Sequence, residues 1–390
     1  MHLRSILRLA ITLLSGILIL TFAWLSSRPM PTPPLPSPSA PPISPSESQN
    51  FRVLAIVAEG ADRELLSLAA PSLVAELKAS EDLTFTLSTL ATGLQQKGEE
   101  EPEPFWRTAM RRGLRAAVLF WPEIYPDSDL RADYTVAPAS CYGGPSLHTV
   151  TFSQTLSIQT LPSPSFSPPL EGSVEIRGEE GGLMASLRLW ALDSSDDGKT
   201  NYDAVLLEGS QKPLRPGEWL ALEVDHHLHS GAFFKLLELS PDAKKAILYR
   251  TPLCYNYALP PALLQGLNRE LGFFPPPADP QSLAKGWITL EDVSFLEKER
   301  VRWATKATAL VWEQYKPDLL LAHFPQTSTL TAESLKMLAE GVKEGEIMML
   351  ISLAPEGFLA VYGGEKQSLA KLFSLSTEDI APLLLSLLLK

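Results

Sequence analysis

The chain has 390 residues, 45% apolar and 20% charged, enough for one large α/β domain with an insertion or for two ordinary domains. Its net charge of −12, with no Lys/Arg-rich patch interleaved with aromatics, argues against a nucleic-acid partner. Cys141 and Cys254 stand in no CxxC or Cys/His spacing, which excludes a cysteine-built zinc module.

Arg4 and Arg8 precede an uncharged apolar run, Leu9 to Leu25, which Ser26-Ser27-Arg28 ends. At about 1.5 Å per residue the run spans roughly 26 Å, just short of a ~30 Å hydrocarbon core. Residues 1–28 therefore read as a signal anchor, basic end cytoplasmic, with membrane contact through residues 9–25. The alternative is a cleaved signal peptide, although Phe22-Ala23-Trp24-Leu25 lacks a small-x-small site. Both readings export the rest of the chain. Residues 29–50 are Pro- and Ser-rich and read as an extended spacer.

Arg52 to Ala58 is a near-continuous apolar run, as in a strand buried on both faces. Asp62 to Lys78 carries helical periodicity interrupted at Pro71. Pro104 to Gly113 predicts a short helix and Arg115 to Trp121 a second buried strand, an order that suggests a parallel α/β sheet. From about Ser140 to Leu253 short alternating segments appear: Leu147–Thr155, Gly172–Arg177, Leu183–Leu192, Ala204–Leu207, Trp219–His229 and Phe233–Leu239. Turn signals separate them, so residues 140–253 predict a β-rich antiparallel insertion. Helices are predicted at Pro261–Gly272, Leu290–Lys316 and Ala332–Val342, and strands at Asp318–Phe324, Glu346–Leu353 and Gly357–Val361. In an exported domain Cys141 and Cys254 can form a disulfide; two separate thiols suit the sequence equally.

Several segments, in order, resemble the type I phosphodiesterase / nucleotide pyrophosphatase family of the alkaline phosphatase superfamily. VLAIVAEGADRELL resembles its first strand and Asp-Gly turn. LSTLATG (Leu87–Gly93) resembles the helix after the nucleophile. PFWRTAMRRGLRAAVLFWPEIYP (Pro104–Pro126) resembles a helix–strand unit ending Trp-Pro. RPGEWLALEVD with FFKLLELSPDAKKAILY resembles an inserted β subdomain. WATKATALVWEQYKPDLLLAHFPQTSTLTAESL (Trp303–Leu335) resembles the helix and strand that end in Pro-Gln-x-Asp-x-x-x-His. STEDIAPLLLSLL resembles the Asp-x-Ala-Pro helix. The resemblance implies an α/β fold: an alkaline-phosphatase-like, mostly parallel sheet flanked by helices (51–139 and 254–390) with the β-rich cap (140–253) inserted.

In active members two zinc ions lie at the carboxyl ends of the strands, where a Thr or Ser attacks phosphorus. Position by position, this chain departs. Glu59 stands for the first Asp. The nucleophile position falls near Leu83, one residue from Thr84. Thr327, Ser328 and Thr329 follow Gln326 where the Asp-x-x-x-His pair belongs. Ser352-Leu353-Ala354-Pro355-Glu356-Gly357 replaces the Asp-His loop, and His323 is the last histidine. A catalytic zinc needs about three protein ligands, so neither zinc nor any other cofactor is expected, and Glu59 and Thr84 are at most remnants of a catalytic site. The expected role is binding or scaffolding at the cell envelope, with an unidentified envelope protein or ligand as partner. The alternative is a divergent metal-dependent hydrolase using Zn²⁺ with Glu59 and Thr84.

Asp225-His226-His227-Leu228-His229 is the one histidine cluster. On a strand His227 and His229 share a face and His226 takes the other. A metal there would need a third ligand, Asp225 or His148; an exposed hairpin is the competing expectation, and no metal is expected.

Overall fold

The computed structural model describes residues 52–59, 71, 73–78, 87, 90–92, 103–138, 140–154, 161–177, 182–324, 332–353, 357–363 and 374–388. The leader, the linker, Thr84 and Thr327–Thr329 lie outside them. No helix among the described residues is long and apolar enough to cross a membrane.

In chain order the first elements are β1 (Arg52–Ala58), β2 (Leu73–Lys78), α1 (Phe105–Arg111), β3 (Ala116–Leu119) and β4 (Tyr134–Val136). Next come β5 (Ser140–Tyr142), β6 (Ser146–Val150), β7 (Ser153–Gln154), β8 (Leu170–Arg177), β9 (Leu183–Leu192), β10 (Ala204–Leu207), β11 (Trp219–Asp225), β12 (Ser230–Leu239), β13 (Ala246–Arg250) and β14 (Leu253–Tyr255). The last part holds β15 (Ala258–Leu259), α2 (Pro261–Leu271), α3 (Pro280–Ala284), α4 (Leu290–Leu310), β16 (Leu319–Phe324), α5 (Ala332–Glu340), β17 (Glu346–Ser352), β18 (Phe358–Gly363), β19 (Ser374–Ser376) and α6 (Thr377–Leu388).

The protein is a mixed α/β structure with three sheets. The largest runs β15-β4-β3-β16-β1-β17-β18-β2-β19. Only β15 and β18 are antiparallel to their neighbours. β1 sits at its centre, flanked by β16 and β17, both parallel to it. Its apolar run follows from burial on both faces: Val53, Ala55 and Val57 pack into one core layer, Leu54, Ile56 and Ala58 into the other. Each such Leu, Ile or Val contributes roughly 1.5–3 kcal/mol on burial.

The helical pattern ending at Lys78 does not hold: Leu73–Lys78 is strand β2. Alternation decides it, since Ala75 and Leu77 are buried while Val74 is 42% exposed. Pro71 stands just before the strand, and pairing with β18 and β19 supplies the backbone partners. The predicted helix to Lys316 holds as far as Tyr315 but changes its hydrogen-bonding pattern on the way. α4 stops at Leu310, a π turn covers Val311–Tyr315, and Lys316 closes it in the left-handed region at φ 47°. α4 starts on a capping box in which Thr289 and Asp292 satisfy each other's backbone N–H.

At the amino-terminal edge of the sheet, Arg52 pairs with Glu346. Its guanidinium lies 3.8 Å from the Trp312 ring centroid and donates to the Trp312 and Pro317 carbonyls at 2.7 and 3.0 Å. One side chain thus ties β1 and β17 to the π turn.

β5 to β14 form the other two sheets, β10-β9-β8-β7 and β5-β14-β12-β13-β6 with β11 beside β12. They share a core of Val174, Ile176, Leu189 and Leu207 against Val150, Phe234, Leu236 and Leu248. The cysteine question is settled: Cys141 and Cys254 face each other across β5 and β14 with Cα atoms 4.1 Å apart and form a disulfide. These two strands are where the chain enters and leaves the β-rich region. A second attachment lies at the start of α4. Trp219 stacks on Phe295 at 5.6 Å and donates to Asp292 at 2.9 Å, and Lys235 reaches the same carboxylate at 2.5 Å. Phe273 packs so closely on Gly231 that a Cβ there would lie 2.3 Å from the ring, so only glycine fits.

Candidate functional site

Parallel pairing brings the carboxyl ends of β16, β1 and β17 side by side. Ala58 is in register with Phe324 and with Ser352, and the Glu59 and Leu353 amides continue the ladder to Phe324 and Ala58 at 3.3 and 2.9 Å. In open α/β sheets this edge is where ligands bind.

Glu59 emerges here, 20% exposed at its side chain, and its Oε1 lies 2.8 Å from Nε2 of His323, whose imidazole is only 2% exposed. The two share a face because each is an odd-numbered step along strands paired in register. The Phe120 carbonyl lies 3.3 Å from Nδ1, so both ring nitrogens face acceptor oxygens. Trp121 packs edge-on against the ring at 5.8 Å. Phe120 takes φ 59°, a turn that ends β3 and places Trp121 in one core layer while Phe120 joins the other. A buried imidazole needs a polar partner, and Glu59 is that partner. The carboxylate is therefore engaged with a side chain of its own protein.

Beside this pair a cavity of about 30 Å³ is lined by Phe120, Phe274, Phe324, Arg300, Glu297 and His323 among others. Arg300 is held by Glu297 at 2.9 Å. Such a space accommodates roughly two waters, far less than a nucleotide.

The histidine cluster is a turn rather than a strand end. β11 stops at Asp225, and His229 takes φ 50°. His226 and His229, not His227 and His229, converge: both Nδ1 atoms lie 3.1 Å from Glu223 Oε1. The expected face assignment fails because a tight turn brings residues three apart together, whereas a strand alternates. Asp225 is occupied in accepting from the His227 and Leu228 amides at 2.8 and 3.2 Å. His148 lies on β6, with Nε2 2.8 Å from Ser146 Oγ. Among the described residues no group of three or more His, Cys, Asp or Glu side chains is arranged to hold a metal ion.

Of the remnant positions, Glu59 stands at the sheet edge and Thr84 lies outside the described residues. The Glu59–His323 pair was missed from sequence because the partners are 264 positions apart. The available signal was a histidine ending an otherwise apolar strand, a buried polar group that must find a partner.

No protein-family model matches the chain, and no curated protein matches it.

Proposed function

We infer that this chain is an exported, membrane-tethered relative of the type I phosphodiesterase / nucleotide pyrophosphatase family that has lost zinc-dependent hydrolysis and acts by binding or scaffolding at the cell envelope. The observation that carries the reading is the Glu59–His323 pair at 2.8 Å. In the family, an Asp at the end of the first strand holds zinc. Here the carboxylate at that position is turned onto a buried imidazole instead.

Sheet order supports the comparison with the family. The segments that resemble its metal-bearing loops leave β1, β16 and β17, which are neighbours. Their sequences lack the chemistry: Thr327, Ser328 and Thr329 follow Gln326, and Leu353 to Gly357 holds neither Asp nor His. An enzyme that kept its reaction would keep most of its ligands, since a catalytic zinc takes about three from the protein. The apolar run at residues 9–25 supplies the tether, and residues 29–50 the spacer, in this account.

The test is turnover. Full-length protein in detergent is incubated with bis(p-nitrophenyl) phosphate and added Zn²⁺ or Mn²⁺. No release of nitrophenolate above that of Glu59→Ala is expected. Release that Glu59→Ala abolishes would establish the hydrolase instead.

A further inference from the structure

Arg250 ends β13 inside the β-rich region and is only 2% exposed. Its Nη1 donates to the Thr251 carbonyl at 2.7 Å and its Nη2 to the Gly144 carbonyl at 2.9 Å, while Nε is buried and has no hydrogen-bond partner. Among the described residues no carboxylate forms an ion pair with it. A guanidinium taken from water without a counter-ion is costly, and only two backbone carbonyls offset that cost here.

Arg250 lies against an open pocket of about 490 Å³, lined also by Ser146, His148, Ser173, Glu175 and Arg177. That volume is in the range of small-molecule sites. β6 and β13 pair so that Ser146 opposes Arg250 and His148 opposes Leu248, which puts Ser146, His148 and Arg250 on one face. β8 brings Ser173, Glu175 and Arg177 from the second sheet. At the mouth Arg177 pairs with Glu175 at 2.5 Å, so those two charges cancel.

We propose that this pocket binds a small organic acid through a single carboxylate, with Arg250 as its charge anchor and the Ser146 and Ser173 hydroxyls as further donors. One uncompensated positive charge matches one negative charge. A phosphomonoester, near two negative charges at neutral pH, would be left with one charge in excess. Burial, and then the nearby Arg250, push the His148 imidazole down to about 4, so at neutral pH it is uncharged and offers a ring nitrogen, not a second cation. Burial likewise pulls the Arg250 guanidinium down to about 10, which still leaves it charged at pH 7. The site is separate from the Glu59 edge and survives or fails independently of the reading above.

The test uses full-length protein in detergent and isothermal titration with benzoate, its neutral analogue benzamide, and inorganic phosphate. Benzoate is expected to bind with Kd at or below about 1 mM, with benzamide and phosphate weaker by at least tenfold. Arg250→Met is expected to abolish binding. Because that variant removes a buried side chain, Glu175→Gln serves as a second arm on an exposed one. It removes a rim charge and is expected to tighten benzoate about threefold. No benzoate binding, equal binding of benzamide, tighter binding of phosphate, or indifference to Glu175→Gln would each overturn the proposal.

Discussion

Glu59 and His323 meet at 2.8 Å across the carboxyl ends of two adjacent parallel strands, and the imidazole is almost wholly buried. Removing one partner strands the other. Glu59→Ala should cost about 1–3 kcal/mol, the penalty for an unsatisfied buried polar group, and Glu59→Gln less, because the amide oxygen still accepts. In a double-mutant cycle with His323→Phe the losses should fall short of additivity. Urea unfolding of the four proteins measures this; full additivity would show that the contact contributes nothing.

The disulfide joins residues 113 positions apart where the chain enters and leaves the β-rich region. On the chain-entropy model a loop of that size stabilises by about 4–5 kcal/mol. Cys141→Ser with Cys254→Ser should lower the denaturation midpoint accordingly, and a reducing agent should do the same to the native protein. A midpoint unchanged by both would show that the bridge constrains nothing.

Asp292 carries two duties at once, capping α4 and receiving Lys235 and Trp219 from the β-rich region. Both it and Lys235 are largely buried, at 7% and 12% side-chain exposure. Asp292→Ala should cost about 3–5 kcal/mol, as for breaking a buried ion pair on one side. Burial works against the Asp292 charge, but the hydrogen bonds from Lys235, the Thr289 amide, Trp219 and the Thr289 hydroxyl outweigh it and hold the carboxyl below its ordinary 3.8. A depressed folded value means the contribution is complete above pH 3.8 and is lost as the pH falls through the lower folded value. Acid unfolding followed by fluorescence should therefore lose its steepest part in Asp292→Asn.

His148 acts in the neighbouring, less acidic part of the pH scale. Its imidazole, at about 4 when folded against an ordinary 6.5, is protonated first in the unfolded chain. Stability should therefore decline as the pH falls from 6.5 toward 4. His148→Gln should flatten that segment of the stability profile. An imidazole seen by NMR to titrate near 6.5 in the folded protein would contradict the burial.

The five adjacent strands β3, β16, β1, β17 and β18 were legible because each is a short apolar run bounded by turn residues, as with Arg52–Ala58 and Asp318–Phe324; the short outer strands β4, β15 and β19 carry no such run. β2 was not legible, since LVAELK fits a helix as well as a strand and only its partners β18 and β19 decide. The turn at residues 226–229 was hidden in the same way: HHLH alternates on paper, and a left-handed His229 is visible only in three dimensions. Glu59 was legible as a position and illegible as a contact. Arg250 went unremarked because a charge at the end of AILYR reads as a strand terminus, whereas neighbouring strands bury it.

The most direct measurement of the central claim is zinc retained by the full-length protein after equilibrium dialysis, counted per chain for native protein and Glu59→Ala. Since Glu59 is committed to His323, the native protein should retain no zinc beyond what Glu59→Ala retains. Stoichiometric zinc held by the native chain and lost in Glu59→Ala would contradict the account and return the chain to the metal-dependent hydrolases.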